Sequence, residues 1–78
     1  MINAYLNTKI EIVRDGSKIL DTKANVQEGQ IYLGNVDIRE LDIIRITAAR
    51  IEYQVTSVYT QLEGNRILYK EVKYNKVG

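Results

Sequence analysis

The amino-acid sequence predicts an all-β protein, a small antiparallel β-barrel of five to six short strands with little helix. Three observations carry that prediction. Runs of apolar and polar residues alternate along the chain, which is the period of a strand with one buried face. Gly-containing turn signals separate the runs at intervals of roughly ten residues, a spacing that fits a closed or nearly closed barrel. Residues 42–59 then supply a central hairpin: apolar Ile43, Ile44 and Ile46 on one side of a tight turn near 47–50, and a run rich in β-branched and aromatic residues on the other. In that second run Ile51, Tyr53, Val55 and Tyr59 fall at period two and predict one apolar face.

The other elements are placed outward from this hairpin. Residues 1–7 read as a lead too short to form a helix alone, an N-terminal arm that docks through Tyr5 and Leu6. Thr8–Arg14 alternates Ile10 and Ile12 with Lys9 and Glu11, and Asp15-Gly16 then turns the chain, since both positions of such a turn favour positive φ. Residues 18–26 put Leu20, Thr22, Ala24 and Val26 on one face. The turn Gln27-Glu28-Gly29-Gln30 leads into a short strand, Ile31-Tyr32-Leu33, which ends near Gly34-Asn35. Residues 36–41 read as a connector, one helical or 3₁₀ turn with Asp37 as its cap. Gly64-Asn65 reverses the chain into a last strand over 66–74, where Leu68, Val72 and Tyr74 share one face and Ile67 and Tyr69 the other. Residues 75–78 read as a flexible tail, and 1–78 as a single barrel domain.

Composition narrows the function classes. A chain of 78 residues buries only about 60% of its unfolded surface, so its core is marginal. There is no Cys and no His, which removes disulfides, thiolate metal sites and the commonest metal ligand and general base. Self-association is the remaining means of covering an incomplete core or an open edge, and a last strand apolar on both faces points the same way. Ile67, Tyr69 and Tyr74 join Tyr5 and Leu6 as the expected interface. Eleven Lys and Arg against ten Asp and Glu leave a net charge of +1, so no strong field for nucleic acid is expected. No membrane span or signal peptide is legible.

Enzymatic chemistry is not expected, and neither is a cofactor. Asp37, Glu40 and Asp42 are the nearest to a carboxylate cluster, yet they lack the glycine and terminal Glu of a calcium loop and read as solvated acids. Arg66, Lys70, Lys73 and Lys76, interleaved with Tyr69 and Tyr74, are the one local bias of charge. They fit either the protection of an edge strand or a small barrel that binds single-stranded nucleic acid through Tyr69, Lys70, Lys73 and Tyr74.

The order of elements resembles the head-completion or head-closure proteins of tailed bacteriophages, the stopper-type head-to-tail connectors. The matching stretches are 5–12 (YLNTKIEI), 22–26 (TKANV), 36–44 (VDIRELDII), 52–58 (EYQVTSV) and 67–72 (ILYKEV). The resemblance implies a homo-oligomeric ring below the portal, contacting portal or adaptor and tail proteins in the virion neck, with synthesis in the bacterial cytoplasm. It further implies that packaged double-stranded DNA passes without sequence-specific binding, and that the turn Gln27, Glu28, Gly29 and Gln30 faces the channel. This turn is shorter than the family's usual loop, and Leu41-Asp42 lacks the Gly that commonly precedes the acidic residue. A protein-interaction module outside a virion is the alternative setting.

Overall fold

The computed structural model describes residues 6–77, and among these the chain forms six strands and no helix. They are β1 (Thr8–Arg14), β2 (Ser17–Gln27), β3 (Gln30–Leu33), β4 (Ile43–Ile46), β5 (Ile51–Glu63) and β6 (Arg66–Lys76). Every pairing is antiparallel, and the order β1-β2-β3-β6-β5-β4 closes on itself as a barrel. Two meanders, β1-β2-β3 and β4-β5-β6, are thus joined edge to edge.

Alternation explains the core. Ile10, Ile12, Ala24, Ile31, Leu33, Ile44, Ile46, Val55 and Val72 are all buried and form one cluster, with Leu20, Val26, Tyr53, Val58 and Tyr74 packed against it. Asp15 and Gly16 take positive φ, 52° and 80°, as a two-residue hairpin turn demands.

Three bulges correct the simple period-two reading. Val13 pairs with Lys18 but Ile12 pairs with Leu20, so Ile19 is an extra residue and stands 41% exposed. In β5, Val55 pairs with Tyr74 and Ser57 with Lys73, which leaves Thr56 unopposed. The bulge reverses which face follows it: Val58 turns to the core, and Tyr59, expected on the apolar face, is 59% exposed. In β6, Gln61 pairs with Tyr69 and Leu62 with Ile67, so Leu68 is the extra residue.

In the six-membered ring, β3 and β4 lie diametrically opposite, so the connector 34–42 has to cross the mouth of the barrel. It carries no helical turn, contrary to the sequence expectation, because its residues are spent on spanning the mouth. Ile38, 5% exposed, drops into the core as a plug. The Leu41 amide donates to the Val55 carbonyl (2.8 Å) and the Val55 amide to the Asp42 carbonyl (2.8 Å), which ties the end of the crossing to β5. The expected tail also differs. Asn75 and Lys76 belong to β6, paired with Gln54 and Tyr53, and the Val77 amide donates to the Glu52 carbonyl (2.9 Å), because β5 is long enough to hold them. The expected arm over 1–7 falls mostly outside the described residues; within them Leu6 and Asn7 are irregular.

Candidate interaction surface

Strand directions place the β1–β2 turn, the β5–β6 turn and the connector at one end of the barrel, and the β2–β3 and β4–β5 turns at the other. The connector end is held by charge. Asp42, 2% exposed, accepts hydrogen bonds from Arg14 Nε (2.9 Å), Arg14 Nη2 (2.8 Å) and the Arg39 amide (2.9 Å), while Arg14 also reaches Asp37 (3.3 Å). Burial pushes the Asp42 carboxyl up, but the hydrogen bonds from Arg14 and the Arg39 amide outweigh it and hold the group below the usual carboxylate range. The Arg14 hydrogen bonds likewise lower Asp37. Beside this lock Leu41 takes φ +75° with its side chain 73% exposed. Lys70 Nζ donates to the Val36 carbonyl (2.7 Å) and fixes the other half of the crossing to β6.

The β5–β6 hairpin continues past this end. β3 pairs with β6 only as far as Lys70, and β4 pairs with β5 only from Ile51 to Gln54. Residues 61–69 therefore form a two-stranded arm that extends about 10 Å beyond its neighbours, at the usual rise per strand residue. Cross-strand partners share a face, so Leu62 (56% exposed) and Ile67 (37%) stand together on the arm. Of the large apolar residues exposed among those described, Ile19, Leu41, Leu62 and Ile67 all belong to this end of the barrel. A two-stranded ribbon with an apolar pair and open edges gains stability from a partner.

The outer walls differ in chemistry. Across β1, β4 and β5, Glu11, Arg45 and Glu52 stand in one row, with Arg45 bonded to both acids at 3.0 Å. Lys18 adds contacts to Asp21 (2.9 Å) and Glu11 (3.8 Å). Across β3, β6 and β5 the corresponding row is Tyr32, Glu71 and Tyr59. The Tyr69 ring meets Tyr32 edge-on at 5.9 Å, and partial burial, with Glu71 nearby, raises the Tyr32 hydroxyl's pKa. This wall is aromatic where the first is ion-paired.

No family model, curated protein or solved structure matches the chain.

Of the positions predicted from sequence, the structure brings two groups together. The Tyr74 hydroxyl donates to the Gln27 carbonyl (2.9 Å) and accepts from the Gly29 amide (3.3 Å), so the turn Gln27, Glu28, Gly29 and Gln30 is stapled by a residue expected at an interface. That turn lies at the end opposite the arm. The Tyr74 ring packs on Tyr53 at 4.2 Å and on the core. Ile67 stands on the arm and Tyr69 on the aromatic wall. Leu6 is half-buried beside Gly34, where an added Cβ would lie 3.9 Å from its Cδ1. Tyr5 lies outside the described residues.

The four residues considered for base stacking are divided by the pleat. Lys70 and Tyr74 share the inward parity of Val72 and bond to backbone, while Tyr69 and Lys73 face outward. Among the described residues no three acids, His or Cys converge as a metal site. Sequence reasoning missed Ile19, Leu41 and Leu62 as exposed apolar groups, and Tyr32, Glu71 and Tyr59 as one row. Glycine punctuation marks hairpins, but the row depends on a bulge at Thr56 that no turn residue announces.

Proposed function

We propose that this chain is a structural assembly subunit that docks through the connector end of its barrel, and that its setting is a tailed-phage neck. There it serves as a head-to-tail connector in a ring below the portal, helping to retain DNA and join the tail, with no catalytic step. The observation that carries the docking role is the set Ile19, Leu41, Leu62 and Ile67, exposed at one end on separate elements. Leu62 and Ile67 are cross-strand partners on a projecting ribbon with open edges, a surface that gains stability from a partner. The phage setting is supported by the resemblance of the ordered sequence stretches above.

Electron microscopy of the protein added to phage necks or DNA-filled capsids lacking their completion protein tests it. Extra ring density below the portal is the expected result, and Leu62→Asp with Ile67→Asp should abolish it while the circular dichroism of the barrel stays unchanged. Necks that bind nothing in such a preparation would overturn the connector setting. Binding that survives the paired substitution would overturn docking through the arm.

A further inference from the structure

We infer that copies of this chain associate head to tail, with Lys9 and Lys23 of one copy seated on the Tyr32, Glu71 and Tyr59 row of the next. The inference rests on the assembly reading above and names the contact by which one copy holds another.

Lys9 and Lys23 are directly opposed across β1 and β2, and both are exposed. Like charges in direct register repel, and a strand pair gains nothing from holding them there. Neither has a carboxylate within 4.0 Å among the described residues. The two acids that line the same shallow groove, Glu11 and Asp21, are engaged by Arg45 and Lys18. The pair is thus a concentrated positive site with no ion-pair partner of its own among the described residues.

Glu71 has the opposite deficit. It is half-buried and has no cation within that distance among the described residues. Its direct cross-strand neighbours on the outer face are Tyr32 and Tyr59, and Tyr69 abuts Tyr32. Tyr32 is steadied at its hydroxyl by a hydrogen bond with Gln30 Nε2 (2.6 Å). A carboxylate between aromatic faces offers an ammonium group both an ion pair and cation–π contact.

Among the described residues the lysines and Glu71 do not meet within one copy. Lys9 on β1 is diametrically opposite Glu71 on β6, and Lys23 on β2 is separated from it by β3, with no contact between either lysine and Glu71 within 4.0 Å among the described residues. Complementary patches at two different places on one surface make a heterologous contact, which repeats from copy to copy and closes into a ring when the rotation allows. Because both patches occur on this one chain, the partner that satisfies both is a second copy.

Two variants test the contact. Lys23→Glu gives Lys9 a carboxylate directly across the strand pair and cancels the positive site; Glu71→Lys reverses the receiving row. In analytical ultracentrifugation the parent should gain mass with concentration and lose it with added salt. Each variant alone should associate about tenfold or more weakly, in line with couplings measured for close charge pairs. Mixed, they should form a one-to-one dimer and nothing larger, because each retains the patch that the other lacks. If Glu71→Lys proves unfolded by circular dichroism, Tyr59→Ala on the exposed ring takes its place.

A parent that stays monomeric at the highest attainable concentration would overturn the inference, as would variants that assemble like the parent. Either result leaves docking through the arm standing, since Leu62 and Ile67 are not part of this contact. Loss of neck binding in the arm variant with self-association intact confirms that the two surfaces are separate.

Discussion

Asp42 is the most constrained polar residue of the described chain, because the mouth of the barrel closes on it. Its carboxylate accepts from Arg14 and from the Arg39 amide while nearly out of water. Asp42→Asn removes the charge that Arg14 balances and should cost about 2–3 kcal/mol, less than for a fully buried pair because Arg14 keeps some water. Urea denaturation at pH 7 measures it. The same residue sets the acid limit. Asp37 and Asp42 are both held below their ordinary value in the folded chain. Their contribution is therefore complete above an unfolded carboxylate pKa of about 3.9, and is lost as pH falls through the lowered folded values. Thermal midpoints should be level near neutrality and drop below about pH 4, with a shallower drop in Asp42→Asn. Leu41 poses a different question, since an exposed apolar side chain in the left-handed region is strained without being packed. Leu41→Gly should raise stability by about 0.5–1 kcal/mol, the relief of the left-handed strain less the added entropy of the unfolded chain. Differential scanning calorimetry reads that gain, and weakened neck binding by the same variant would show what the strained leucine is kept for.

At the level of elements, the long hairpin and the short strands behave differently. The amides of Gln61 to Glu63 and Arg66 to Tyr69 lie where β5 and β6 have only each other, so in the free protein they should exchange hydrogen faster than those of β1 and β4. Docking onto a partner should slow them. Tyr74→Phe removes the hydroxyl that holds the 27–30 turn to β6, and should cost about 0.5–1 kcal/mol, with faster exchange centred on Gly29. Much of the element map was legible in the chain, because Asp15-Gly16, Gly29 and Gly64-Asn65 all mark real reversals and Ile10, Ile12, Leu20, Ala24 and Val26 keep their faces. What was hidden depends on register. Unbulged pairing from the Asp15-Gly16 turn would set Lys9 opposite Thr22; the extra Ile19 sets it opposite Lys23. The same cause turned Tyr59 outward. Bulges are chosen by cross-strand packing, which a local pattern of apolar residues does not encode.

For the molecule as a whole, closure is the decisive property. The barrel exists because β1 meets β4 and β3 meets β6, and the connector between the meanders fills the mouth with Ile38. Ile38→Ala should cost about 2–4 kcal/mol by leaving a cavity under the crossing, measured by urea denaturation. The loss should be global, since the core described is one cluster of buried apolar residues that includes Ile38. Closure also has a consequence in time. The pairings that seal the ring join segments far apart along the chain, and β6, which completes the second meander and covers the open edge of the first, is the last of the six to be made. A nascent chain emerging from the ribosome can form the β1–β2 hairpin early, yet β3 keeps one bare edge until β6 appears. An edge left bare in this way can pair with that of a sister chain, so a slower arrival of β6 after β5 should raise the share of tangled subunits over finished ones.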